Sequence, residues 1–152
     1  MRTVLITGAS GGLAQEMVKL LPDDQLILLG RDKEKLAQLY GNHPQAELVE
    51  MDITDAQALE DLVAELYQRY GKIDVLINNA GYGIFEDFDK ISNKDIHQMF
   101  EVNTFALMNL SRLVASRMKE IRKGHIINIV SMAGLIATAK SSLYSATKFA
   151  AI

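Results

Sequence analysis

Thr3-Val4-Leu5-Ile6-Thr7 runs directly into Gly8-Ala9-Ser10-Gly11-Gly12, and Leu13-Ala14 then opens a helical pattern that continues to Leu21. A short apolar strand, a glycine-rich turn and a helix, in that order, make the first half of a βαβ unit. Glycine lets the backbone turn tightly and approach a pyrophosphate, whose charge rests on the free N–H groups and positive dipole end of the helix. A tight turn needs glycine for steric reasons as well, so the placement between an opening strand and a helix carries the reading. Thr7, Gly8, Ser10, Gly11, Gly12 and Leu13 are therefore expected at the phosphate end of a dinucleotide site.

Outward from that loop the alternation continues. Short apolar runs at 3–7, 25–29, 46–51, 74–78 and 124–130 are separated by helical patterns at 13–21, 33–40, 55–70 and from 93 to about 121. The runs are almost continuously apolar, as in Leu26-Ile27-Leu28-Leu29, which is what burial on both faces of a parallel sheet requires. In the third helical stretch Leu59, Leu62, Val63, Leu66 and Tyr67 form one stripe, and Asp55 stands where an acidic residue caps the helix start. The expected fold class is α/β: a doubly wound, Rossmann-type parallel sheet of five strands in the order 3-2-1-4-5, forming a single domain over residues 1–152.

Composition narrows the function. With 49% hydrophobic and 23% charged residues the chain has the make-up of a soluble globular domain. A net charge of −3 gives no reason to expect a nucleic-acid partner. The absence of cysteine excludes disulfides, thiolate metal ligands and a thiol nucleophile. His43, His97 and His125 lack metal-ligand spacing, so no metal site is expected, and the seven methionines read as core filler. No apolar run is long enough for a signal peptide or a membrane span, so a cytoplasmic setting without membrane contact is expected.

The second strand ends in Gly30-Arg31-Asp32, where the adenosine ribose of a dinucleotide should lie. An acidic residue at the strand tip would hold both ribose hydroxyls and repel a 2′-phosphate. Here Arg31 can fork onto that phosphate, which favours NADP over NAD. Two other readings remain open: Asp32 turns back to the ribose, or it caps the next helix while Arg31 is solvated.

Tyr144 and Lys148 sit at i and i+4 on one helix face. A free tyrosine has a pKa of about 10, and a fixed cation beside it stabilises phenolate, which makes the phenol a usable proton donor or acceptor. Such a pair also occurs by chance on exposed helices. Ser131, at the end of the fifth strand, lies at the same carboxyl edge of the sheet as the phosphate loop and shifts the balance toward chemistry.

With these residues the sequence resembles the short-chain dehydrogenase/reductase family along its whole length. Asn78-Asn79-Ala80-Gly81 looks like that family's NNAG motif, Asp52 (followed by Ile53) like its adenine-contacting aspartate, and Asn103 like its catalytic asparagine. The serine-to-tyrosine separation, 144 − 131 = 13, also matches. Gly11 fits the spacing of the family's longer epimerase branch and Gly12 that of the shorter dehydrogenase branch; the NNAG motif and the close serine–tyrosine spacing decide for the shorter one. Ala14 replaces the last loop glycine, and Ala106 stands where a glycine often follows the asparagine.

The resemblance implies an oxidoreductase that moves a hydride between NADP and a small carbonyl or alcohol. Tyr144 would be the proton donor or acceptor, and Ser131 would hydrogen-bond the reacting oxygen. Lys148 would lower the tyrosine pKa and hold the nicotinamide ribose, and Asn103 would position a water linking Lys148 to solvent. Asn79, Ala80 and Gly81 would join the cofactor site. Tyr82, Ile84 and Phe85 either touch substrate or only pack their loop. Phe149-Ala150-Ala151-Ile152 contains no helix-stop signal, so the chain is expected to be a piece of a longer, homo-oligomeric parent that continues with two further strands. The fifth strand is then expected to be an uncovered sheet edge. The competing reading is a non-catalytic dinucleotide-binding fragment or pseudoenzyme.

Overall fold

The computed structural model describes residues 1–152. Five strands, β1 (Thr3–Ile6), β2 (Gln25–Gly30), β3 (Ala46–Glu50), β4 (Val75–Asn78) and β5 (His125–Asn128), form one sheet in the order β3-β2-β1-β4-β5. Every pairing is parallel, and the register sets Leu5 beside Ile27 and Leu76, and Ile6 beside Leu28 and Ile77. The doubly wound α/β architecture and its strand order are those expected from the alternation of elements.

Because neighbouring side chains on a strand point to opposite faces, that register sorts the core into two layers. Leu5, Ile27, Leu29 and Leu76 pack against α3 (Ala56–Tyr70) and α5 (Ala106–Ile121) through Leu59, Leu66, Leu110 and Val114. Val4, Ile6, Leu26, Leu28 and Ile77 pack against α1 (Gly12–Lys19) and α2 (Lys33–Tyr40) through Ala14, Val18, Leu36 and Tyr40. Burying one such aliphatic side chain contributes about 1.5–3 kcal/mol, so these layers dominate the stability of the sheet.

Local signals end the helices where expected. The Asp55 carboxylate accepts from Ala58 N–H at 3.0 Å to cap α3, and Gly71 closes that helix at φ 73°. Asp32 accepts from Lys35 N–H at 3.0 Å and so caps α2. Only β1, β2 and β4 carry the continuous burial that the apolar runs imply; β3 is half-buried and β5 mostly exposed, with Ile127 45% accessible. Both are sheet edges, and β5 is the uncovered one.

The stretch from 93 to 121 is helical throughout, as expected, but not uniformly α-helical. It divides into α4 (Asn93–Phe100), a π-helical turn at Glu101–Phe105, and α5. The wider turn brings Asn103 and Thr104 inward, where both are buried and bonded to α6 (Ser142–Phe149) through Thr147. These polar anchors supply the reason for the wide turn, which the apolar spacing alone does not reveal.

Candidate functional site

A cavity of about 540 Å³ opens at the carboxyl ends of β1–β4. Its floor is the glycine loop, and its conformation follows from close contacts. Gly8 has φ 62°, and a Cβ there would stand 2.7 Å from the Ala80 Cα, so only glycine fits. Thr7 Oγ1 accepts from the N–H groups of Asn79 and Ala80, both at 3.0 Å, and Asn79 Nδ2 donates to Gly8 O at 3.1 Å. Behind the loop, Tyr40 donates its hydroxyl to Ala9 O at 2.6 Å, and burial pushes that phenol above its ordinary pKa.

This bracing leaves a cradle. No atom lies within 4 Å of where a Cβ on Gly12 would sit. The α1 N-terminus has no side-chain cap and no acid in its first turn, so its N–H groups are available to an anion. Leu29, Met51, Ile53 and Val102 add an apolar wall. Open space above glycine, uncapped donors and an apolar slot fit a dinucleotide.

Gly8, Ser10, Gly11, Gly12, Leu13, Arg31, Asp52, Ile53, Asn79, Ala80 and Gly81 all line the cavity. Thr7 does not: it is buried, and its hydroxyl is engaged behind the wall. At the end of the second strand Arg31 and Asp32 both border the cavity, and Asp32 also caps α2 through one carboxylate oxygen. Lys35 also lines it, one helical turn from Arg31. Its signal in the sequence was the i+4 spacing from Arg31, which reads equally well as an ordinary solvated helix face. The Thr54 hydroxyl and N–H, aided weakly by nearby Arg31, hold the Asp52 carboxyl below its usual pKa.

Gly81 joins this cavity to a second group of side chains. A Cβ on Gly81 would stand 3.0 Å from Lys148 Nζ and 3.2 Å from Asn103 Oδ1, so both atoms converge there. Asn103 is fixed on three sides: Oδ1 accepts from Tyr82 N–H at 3.0 Å, and Nδ2 donates to Tyr82 O at 2.8 Å and Thr147 Oγ1 at 3.1 Å. Lys148 is only 6% exposed and donates to Ile129 O at 3.4 Å; burial pushes its ammonium below the usual lysine pKa. The same ammonium lies 5.7 Å from the centre of the Tyr144 ring.

Ser131 and Tyr144 are both partly buried, and neither lines the cavity. Ser131 Oγ accepts from Ala133 N–H at 3.2 Å, starting a short 3₁₀ turn at Met132–Gly134, and shares no hydrogen bond with Tyr144. The site thus consists of the glycine-floored cavity and, beyond Gly81, the buried Lys148 and Asn103 with the partly exposed Tyr144 beside them. No helix is long and apolar enough to cross a membrane.

The family profile described as short chain dehydrogenase matches residues 2–152. A ketoacyl reductase of Nostoc is 37% identical over 97% of the chain. Among solved structures, a short-chain dehydrogenase from Streptomyces avermitilis superposes with a TM-score of 0.93 at 33% identity, over 98% of this chain and 56% of that one. A metagenomic short-chain oxidoreductase in complex with NADP superposes with a TM-score of 0.90 at 29% identity, over 98% and 71%. The chain spans 53% of the Nostoc reductase and 62% of an uncharacterised oxidoreductase of Staphylococcus saprophyticus. The chain belongs to the short-chain dehydrogenase family of oxidoreductases.

Proposed function

Within that family, we propose that residues 1–152 form the dinucleotide-binding and proton-relay domain of an NADP(H)-dependent oxidoreductase that interconverts a small carbonyl and an alcohol. The observation that carries this reading is the convergence of Lys148 Nζ and Asn103 Oδ1 on Gly81, where the glycine cavity ends. Lys148 would hold a nicotinamide ribose there, with the Tyr144 ring 5.7 Å from its ammonium.

In this reading Gly12 and Leu13 offer N–H groups to the pyrophosphate, Gly11, whose N–H donates to Gly8 O at 3.1 Å, shapes the turn beneath it, and Ser10 borders it. Arg31 and Lys35 hold the 2′-phosphate, and Asp52 with Ile53 holds the adenine. Three structures that resemble the chain, the metagenomic oxidoreductase, ElxO and a gluconate 5-dehydrogenase from Burkholderia cenocepacia, carry NADP, which supports that choice. Bound NADPH supplies the hydride.

Tyr144 gives its phenolic proton to the carbonyl oxygen during reduction and takes one from the alcohol in reverse. Ser131 Oγ accepts from Ala133 N–H and keeps its own O–H to donate to the same oxygen, where it stabilises the developing charge. The Lys148 ammonium, 5.7 Å from the centre of the Tyr144 ring, would hold the nicotinamide ribose. Its own lowered pKa makes proton exchange with solvent easier, and the second lone pair of Asn103 Oδ1 can hold the connecting water. The reading extends to a cytoplasmic, homo-oligomeric parent.

The test is cofactor oxidation by the full-length protein with a panel of small ketones and aldehydes. Carbonyl-dependent oxidation of NADPH, faster than that of NADH, is expected. Cofactor binding without carbonyl-dependent oxidation would contradict the proposal.

A further inference from the structure

The segment after Gly81 carries a feature that cofactor binding does not use. Phe85 packs edge-on against Tyr144, with ring centroids 5.2 Å apart and planes inclined by 63°, yet 61% of Phe85 is exposed. Gly83 makes the arrangement possible. A Cβ there would stand 2.7 Å from Phe85 Cε2 and 3.2 Å from Tyr144 Cδ2, so any side chain would push into both rings. Two small clamps then hold the segment against the stretch that precedes Tyr144. Glu86 N–H donates to Lys140 O at 3.0 Å, and Lys140 Nζ lies 3.9 Å from Glu86 and 3.8 Å from Asp87. Lys140 adopts φ 62°, a conformation that residues other than glycine rarely take, and Ser141 braces the turn by donating to Thr138 O at 2.8 Å.

A phenylalanine that only packed its own loop would bury its faces. Here the ring contacts that of Tyr144 and most of its surface stays open. We infer that Phe85 is a specificity-determining wall of the substrate site, and that it selects carbonyl compounds carrying an aromatic or bulky aliphatic group next to the reacting carbon. Its exposed surface is apolar, so it favours such a group over a hydroxylated one. The inference rests on the proposed role of Tyr144.

The experiment measures binding of acetophenone and of hydroxyacetone to the NADP⁺-loaded full-length protein by calorimetry. It compares the native chain with Phe85→Ala and Phe85→Leu. Phe85 is too exposed for its loss to unfold the domain, and the leucine variant restores apolar bulk. Acetophenone should bind tighter than hydroxyacetone, and Phe85→Ala should weaken it roughly tenfold or more. Phe85→Leu should recover most of the loss, and hydroxyacetone binding should stay within about threefold throughout. Acetophenone binding that is absent, or equal in the native and alanine forms, would overturn the inference and make Phe85 a loop-packing residue. If acetophenone binds in a Phe85-dependent way but is never reduced with NADPH, the hydride-transfer reading fails while the apolar wall stands.

Discussion

Arg31 shows how a single side chain can be read from the sequence and then sharpened by its surroundings. Its position after the second strand is where a 2′-phosphate is proposed to bind; Asp32 caps α2 through one carboxylate oxygen and borders the same cavity. Lys35 stands in the same wall, so the proposed 2′-phosphate site holds two cations. A charge-assisted hydrogen bond to such a group contributes about 1.5–3 kcal/mol, and every 1.4 kcal/mol is a factor of about ten. Arg31→Ala should therefore lower the NADPH-over-NADH ratio of kcat/KM by roughly ten- to a hundredfold, leaving NADH kinetics almost unchanged. An unaltered ratio would assign cofactor choice elsewhere. Thr7 is the contrasting case. Its place in the loop suggests a ligand contact, but its hydroxyl is buried under two backbone N–H groups and braces the loop instead.

At the scale of elements, most of the fold was legible because each signal was local. The apolar strands, the glycine turn and the Asp55 cap need only a few residues of context. Asp55→Ala should cost about 1 kcal/mol in urea unfolding, the usual value of an N-cap, with no effect on cofactor binding. A loss well above that would mean that Asp55 does more than cap. The π turn at Glu101–Phe105 was not legible. Apolar spacing continues across it, and the partners that draw Asn103 and Thr104 inward, Tyr82 and Thr147, lie 21 and 44 residues away from Asn103 in the chain. The contact of Phe85 with Tyr144 was hidden for the same reason. It depends on a bare Gly83 and on Lys140, neither of which has a sequence pattern of its own.

At the scale of the molecule, the two rims of the sheet do different work. The amino-terminal rim is tied by polar bonds: Arg2 pairs with Asp24 at 2.6 Å, linking β1 to the start of β2, and Thr3 N–H donates to Asp74 at 2.8 Å, linking β1 to β4. The Arg2 hydrogen bond holds the Asp24 carboxyl below its ordinary pKa. A carboxyl whose pKa is lower in the folded state stabilises it above the unfolded value of about 3.9, and that contribution fades as pH falls through the lower folded value. Asp24→Asn should therefore lower Tm at neutral pH, and the difference from the native chain should shrink to nothing in acid. A constant difference across the range would assign the loss to packing. The carboxyl rim, by contrast, leaves the N-terminus of α1 without a side-chain cap beside open space, and the chemistry is proposed there.

The central claim is that Tyr144 moves the proton while the glycine cavity holds the cofactor independently of it. Its most direct test is Tyr144→Phe in the full-length protein, with NADPH affinity and carbonyl-dependent NADPH oxidation measured on the same sample. General acid–base catalysis of this kind contributes about 10²–10⁴-fold, so turnover should fall by at least a hundredfold while NADPH affinity stays within about threefold. Turnover near the native rate, or loss of NADPH binding, would contradict the claim.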